Sequence, residues 1–249
     1  MSFLASFSLG AFLESTQITR AAAFYLLGGA GLTCLLVFLA MGLGLLLGTV
    51  MASFQVYGPA WTARLVSLYV WFFRSIPIIV LMFMFYLGLS SQVDGLILEL
   101  FGVRASIPAF PVAAAVLGLT SAAYQSQIFR GAMQSIPSGQ FRAAKALGMS
   151  QVGAIRSVIL PQALRISLPA WSNEYSILLK DSAIAFVLGV SETMARINQL
   201  AATSHQPLLI YILAGIIYYL LTWAGVKLLM KLYERVRIPG LAEVDHSGF

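Results

Sequence analysis

The sequence predicts an all-α membrane protein with about five transmembrane helices. Composition is the first ground. Of 249 residues, 59% are hydrophobic and only 10% are charged, and the mean hydropathy is +0.88, well outside the usage of a soluble domain. The second ground is a set of five apolar runs, each near the roughly 20 residues a helix needs to cross a hydrocarbon core. The third is their form. They are long and continuous rather than short and alternating, which excludes a β-barrel reading.

The first span covers about 22–50, the second about 65–89, the third about 107–130, the fourth about 166–190 and the fifth about 207–230. Gly42, Gly44, Gly48, Pro77 and Pro169 fall inside them and are tolerable where neighbouring helices satisfy freed backbone groups. Gly44-x3-Gly48 is a close-packing motif for membrane helices. Pro77 should break or bend the second span. Tyr69, Trp71, Tyr218, Tyr219 and Trp223 read as packing or interface residues. The single cysteine, Cys34, lies in the first span, so no intrachain disulfide can form. The opening MSFLASFSLG has no basic n-region, which argues against a cleaved signal peptide. The first 20 residues read as an external lead and the residues after Pro239 as a short internal end. With no internal repeat or low-complexity linker, residues 1–249 form one membrane domain.

Lysine and arginine set the orientation. The connection between spans three and four carries Arg130, Arg142, Lys145, Arg156 and Arg165. The C-terminal end carries Lys227, Lys231, Arg235 and Arg237, and the first loop adds Arg64. The opposite side holds only Arg20, Arg104 and Arg196, beside Glu14, Asp94, Glu99 and Glu192. Ten basic residues against three place the N-terminus outside and the C-terminus in the cytoplasm.

The cytoplasmic connection, about 131–165, holds the segment IPSGQFRAAKALGMSQVGAIRSVILP at 136–161, with three basic residues and no acid. Pro137 suits a first helical turn, capped by Ser135 or Ser138. Ala143, Ala144, Ala146 and Leu147 make a small-residue face that can sink into a groove of another protein. Gly148 can leave the helix left-handed, and Ser150 can cap the next helix. Val152, Ile155 and Ile159 fall on one face of that second helix, before Pro161 ends the pattern.

This loop resembles the EAA coupling motif of permease subunits in ATP-binding-cassette importers. The blocks AAYQSQIFRGAMQSIPSGQ (122–140), LPQALRISLP (160–169), SNEYSILLKDSAI (172–184) and VWFFRSIPIIV (70–80) look like the subfamily that imports polar amino acids. The likeness runs from about residue 22 to Gly240. It implies the type I importer permease fold, a prokaryotic cytoplasmic (inner) membrane and a multi-pass chain. The implied partners are ATPase subunits, a second permease and an extracytoplasmic amino-acid-binding protein. The resemblance implies ATPase coupling through Arg142, Ala143, Ala144, Lys145, Leu147, Gly148 and Met149. Two positions depart from the family: Arg142 stands where glutamate is usual, and Gln127 where an acid is common. Charge reversal at 142 suggests an asymmetric pair whose second permease carries the acidic motif.

The chain carries no GxxxxGK[ST] phosphate loop, and no lysine follows a glycine. ATP and magnesium would therefore belong to a partner ATPase, and this chain would be a transport subunit rather than an enzyme. His205 and His246 are isolated from any metal-ligand neighbour. Nothing calls for nucleic acid.

Charged groups within a bilayer are costly and usually functional. Arg74, Glu174, Lys180 and Asp181 are the candidates. Glu174 and Asp181 lie nearly two turns apart and share a helix face. With Trp171, Asn173, Lys180 and Ser182 they form a candidate substrate path, suited to a zwitterion that needs both acceptors and donors. Structural pairing of Lys180 with Asp181 competes with that role. Arg74 could bind carbonyls freed by Pro77, snorkel to headgroups, or face the cavity. Two other functions compete: a stand-alone secondary transporter, which would call for an ion site and inverted repeats, and a membrane scaffold. Both alternatives predict that damage to 143–148 is harmless.

Overall fold

A computed structural model describes residues 20–101, 108–204 and 206–237. The predicted external lead, Arg104, His205, the first residue of the third span and the tail after Pro239 with His246 lie outside the described residues. Nine α-helices are described: α1 (Arg20–Tyr57), α2 (Ala60–Ser75), α3 (Ile78–Phe101), α4 (Ala109–Ser135), α5 (Ser138–Ala146), α6 (Gln151–Ala154), α7 (Leu160–Asp181), α8 (Thr193–Thr203) and α9 (Pro207–Val236). A π turn, Ile155–Ile159, joins α6 to α7, and a 3-10 helix, Ser182–Leu188, follows α7.

The centre of the bundle is α1 packed along α4, with α7 against both. Glycine makes this approach possible. A Cβ at Gly48 would lie 3.0 Å from Cβ of Gln125 and 3.1 Å from the Ser126 backbone nitrogen. The Gly44-x3-Gly48 motif thus packs helices within the chain. Leu36, Val37, Leu81, Met82, Val116, Leu117 and Leu179 fill the adjoining core. A second cluster around Phe129, Met133, Ile136 and Ile159 lies at the end bearing α5. A third, of Leu26, Ile197, Ala201, Ile210 and Ala214, lies at the other end. The outer surface is apolar as well: Phe24, Phe38, Trp61, Trp71 and Tyr219 are all exposed, as lipid contact requires.

The second span breaks at Pro77, as expected, while several other expectations need correction. Ile76 is extended (φ −96°, ψ 130°), and the segments before and after Pro77 meet at 104°. Pro77 offers its carbonyl to the amides of Val80 and Leu81, at 2.9 and 3.2 Å, and so starts α3 where its ring ends α2. The fourth span stops being α-helical at Asp181, and the left-handed Gly189 (φ +89°) closes the 3-10 segment. Pro161 does not end the regular pattern. The π turn bonds the Leu160 amide to the Ile155 carbonyl, and its wider winding admits a residue with no N–H to give. It also brings Ala154 and Ile159, five residues apart, both into the interior. Val152 is left 72% exposed, off the face it was expected to share with Ile159.

By length and apolarity alone, two described helices can cross a membrane (Ala22–Tyr57 and Pro207–Val236), or three if the bent α2–α3 pair counts as one span. The helices α4 and α7 carry interior polar residues instead, among them Ser121, Gln125, Ser126, Ser167, Ser172 and Glu174.

Candidate functional site

The α5–α6 segment forms an exposed ledge at one end of the bundle. Pro137, in extended conformation (φ −54°, ψ 127°), is the residue before α5 rather than part of its first turn, and no serine side chain caps it. Ser135 belongs to α4 and donates its hydroxyl to the Ala132 carbonyl at 2.9 Å. Two other local expectations hold. Gly148 has φ +82°, the left-handed exit that only glycine adopts freely. Ser150 caps α6, accepting from the Gly153 amide at 3.0 Å.

Within the ledge, Ala144 turns inward and is buried, so the small-residue face divides. Arg142, Ala143, Lys145, Ala146 and Gly148 are exposed, and Met149 is half-buried. Leu147 is 85% exposed. No described residue covers the exposed ones, yet the ledge is held firmly from behind. Phe141 stacks on Tyr57 of α1 with ring centroids 4.8 Å apart. Gln151 donates to the Tyr57 carbonyl at 2.7 Å, and Gln162 of α7 donates to Gln140 of α5 at 2.6 Å. A force on α5 or α6 is thus carried to α1 and α7 together.

Those two helices hold a buried polar network with α4. Ser121 donates to Oε1 of Glu174 at 2.7 Å, and Gln125 donates to Ser121 at 3.0 Å. Gln125 also donates to the Met41 carbonyl of α1 at 3.3 Å and accepts from the Trp171 indole at 2.7 Å. Glu174 is 4% exposed, whereas its neighbour Asn173 is exposed, so the two point to different surroundings. Lys180 is exposed and Asp181 half-buried. Ser182 is fully buried and donates to the Leu179 carbonyl at 2.7 Å, turned into its own helix.

A third feature was not legible in the sequence. Arg74 lies over the Tyr124 ring, 4.7 Å from its centroid. Together they line a cleft of about 410 Å³ with Gln55, Trp71, Gln127 and Arg130. Gln127 accepts from Arg130 at 3.1 Å and donates to Gln55 at 3.0 Å, fixing the cleft floor. Sequence reasoning also missed Glu192, taken only as an external acid. It is fully buried, caps α8 through the Ala195 amide at 2.8 Å, and accepts from Tyr218 at 2.8 Å and Thr33 at 3.2 Å. A Glu flanked by Ser191 and Thr193 before a mixed polar run was the signal for that cap.

Residues 44–237 match the model of the family described as binding-protein-dependent transport system inner membrane component. The chain belongs to this family. As a member it is a membrane-embedded transport subunit rather than an enzyme. It is 34% identical over 200 residues to the octopine transport system permease protein OccQ of Rhizobium meliloti, covering 80% of this chain and 84% of that one. It is 35% identical over 177 residues to the arginine ABC transporter permease protein ArtM of Haemophilus influenzae, covering 71% and 76%. Among solved structures, an amino acid ABC transporter crystallised with histidines matches with TM-score 0.71 and 29% identity, covering 93% of this chain and all of that one. A bacterial importer of the polysaccharide alginate matches with the same TM-score of 0.71 at 15% identity. That likeness shows the fold alone.

Proposed function

We propose that this permease is one of two membrane subunits of an ATP-driven importer of polar or charged amino acids. Relatives named for octopine and arginine transport support the substrate class. The observation that carries the coupling half of the proposal is the ledge itself. Leu147 at 85% and Val152 at 72% exposure flank the left-handed Gly148 on a helix pair bolted to α1 and α7. An apolar knob of this kind, with Arg142, Lys145 and Arg156 around it, suits the cleft of a partner ATPase. This end faces the cytoplasm, in keeping with its basic residues. The N-terminus lies outside, and five spans follow once α4 and α7 are counted as the inner helices.

When two ATPase subunits close on nucleotide, each ledge moves with its own subunit. The Tyr57–Phe141 stack and the Gln140–Gln162 bond carry that motion into α1 and α7. Their relative tilt opens the path between the two permeases to one side or the other, a rigid-body switch between two states. Substrate is delivered outside by a binding protein and released inside. Asn173, Lys180 and Asp181 are the α7 groups placed to meet it, and Glu174 with Ser121 and Gln125 holds that helix in register. No covalent step takes place on this chain.

The test is recovery of partners. The tagged permease, extracted from native membranes in mild detergent, should bring down an ATP-binding-cassette ATPase. A second permease with an acidic residue at the position of Arg142 would make the complex a heterodimer. Absence of any ATPase, under conditions that keep control importers intact, would count against the proposal and favour a stand-alone carrier.

A further inference from the structure

The cleft between α1, α2 and α4 departs from the family pattern in its charge, because Gln127 stands beside Arg130 where an acid is common. Arg74 and Arg130 both line it, and among its described lining residues there is no carboxylate. Arg130 is met by the neutral amide oxygen of Gln127, and Arg74 by the face of Tyr124. Neither contact cancels a charge. Glu174 is within electrostatic reach of Arg74, but it is buried and bonded to Ser121 and does not line the cleft. Two guanidinium groups lining one cleft without a carboxylate suit an anion, because guanidinium offers a fixed fork of donors that carboxylate oxygens fit.

We infer that this cleft is a substrate site in addition to the α7 groups, one that binds the amino acid through its carboxylates and prefers two of them over one. The inference rests on the importer reading and names the substrate class for it. The volume of about 410 Å³ lies within the range of small-molecule sites. One carboxylate is held by Arg74 and the other by Arg130. The Trp71 ring and the Ser67 hydroxyl, also in the lining, are available to the ammonium group. Arg74 is exposed on the isolated chain, so the cleft is open at its surface. Gln127 is a specificity-determining position. A carboxylate there would sit against Arg130 and neutralise the site before substrate arrives.

The experiment uses the permease–ATPase complex in nanodiscs, freed of its soluble binding protein so that the latter's selectivity does not enter. Radiolabelled glutamate is competed with glutamate, glutamine or arginine. Glutamine has nearly the shape of glutamate without the second charge, and should compete at least ten-fold more weakly, as should arginine. Gln127→Glu should erase the glutamate preference. Arg130→Gln should weaken glutamate at least ten-fold while leaving glutamine nearly unchanged, which a general loss of fold would not do. Equal competition by glutamine, or a preference that survives both substitutions, overturns the inference. Binding to an ATPase-containing complex that is indifferent to substrate charge would defeat the cleft assignment alone, whereas a complex that lacks an ATPase defeats the importer reading beneath it.

Discussion

Gly148 offers the sharpest perturbation of the coupling ledge, because backbone and contact effects can be separated there. Its φ of +82° lies in the left-handed region, which costs an L-residue about 1–2 kcal/mol. A Cβ at this position would meet nothing within 4 Å, so no clash inside the chain adds to that cost. The undocked loop is exposed and can relieve the strain by opening its turn. The docked loop cannot, if the ATPase grips the turn in this shape. The strain then appears as lost docking affinity, about five- to thirty-fold at 1.4 kcal/mol per decade. Gly148→Val, β-branched and poorly suited to positive φ, should show the full loss. Gly148→Asn, whose side chain tolerates this conformation, should show little. The assay is titration of the co-purified ATPase onto the permease in nanodiscs. Val binding as tightly as Gly, or Asn losing as much as Val, would refute the reasoning.

Three further outcomes follow from the packing. Gly44→Leu drives a side chain into Gln125 and Ser121, since even a Cβ would stand 3.0 Å from the Gln125 amide carbon and 3.2 Å from the Ser121 hydroxyl. It should lower the unfolding temperature in detergent by several degrees, in line with the ~1–3 kcal/mol typical of overpacking. Glu192→Ala strands the Tyr218 hydroxyl and the Ala195 amide and should cost about 3 kcal/mol by the same thermal assay, with Glu192→Gln recovering part of it. Glu174→Gln weakens the buried hydrogen bond that Ser121 donates by about 1 kcal/mol. Uptake should fall about five-fold, with ATPase docking affinity unchanged. Full uptake at saturating substrate would remove Glu174 from the account.

What the sequence made legible was whatever depends on local chemistry. The apolar runs mark α1 and α9, the proline marks the break at Pro77, and Gly148 and Ser150 announce the turn and cap of the ledge. Features set by tertiary packing were hidden. The π turn exists because Ala154 and Ile159 must both reach the interior around Pro161. The helix α8 is short and mixed in polarity, and so was read as loop. The inward turn of Ala144 depends on the neighbours behind α5. The cleft was the least accessible, since Gln55, Arg74, Gln127 and Arg130 come from three helices and only the fold brings them together.

The central claim is that the ledge couples this permease to ATP hydrolysis that drives import. The most direct measurement is amino-acid uptake into proteoliposomes holding the purified complex, with external binding protein and internal ATP. The account predicts accumulation that requires ATP and falls sharply in Gly148→Val, while the variant chain remains folded and membrane-inserted. Accumulation that continues without ATP, or that is untouched by Gly148→Val, would contradict it.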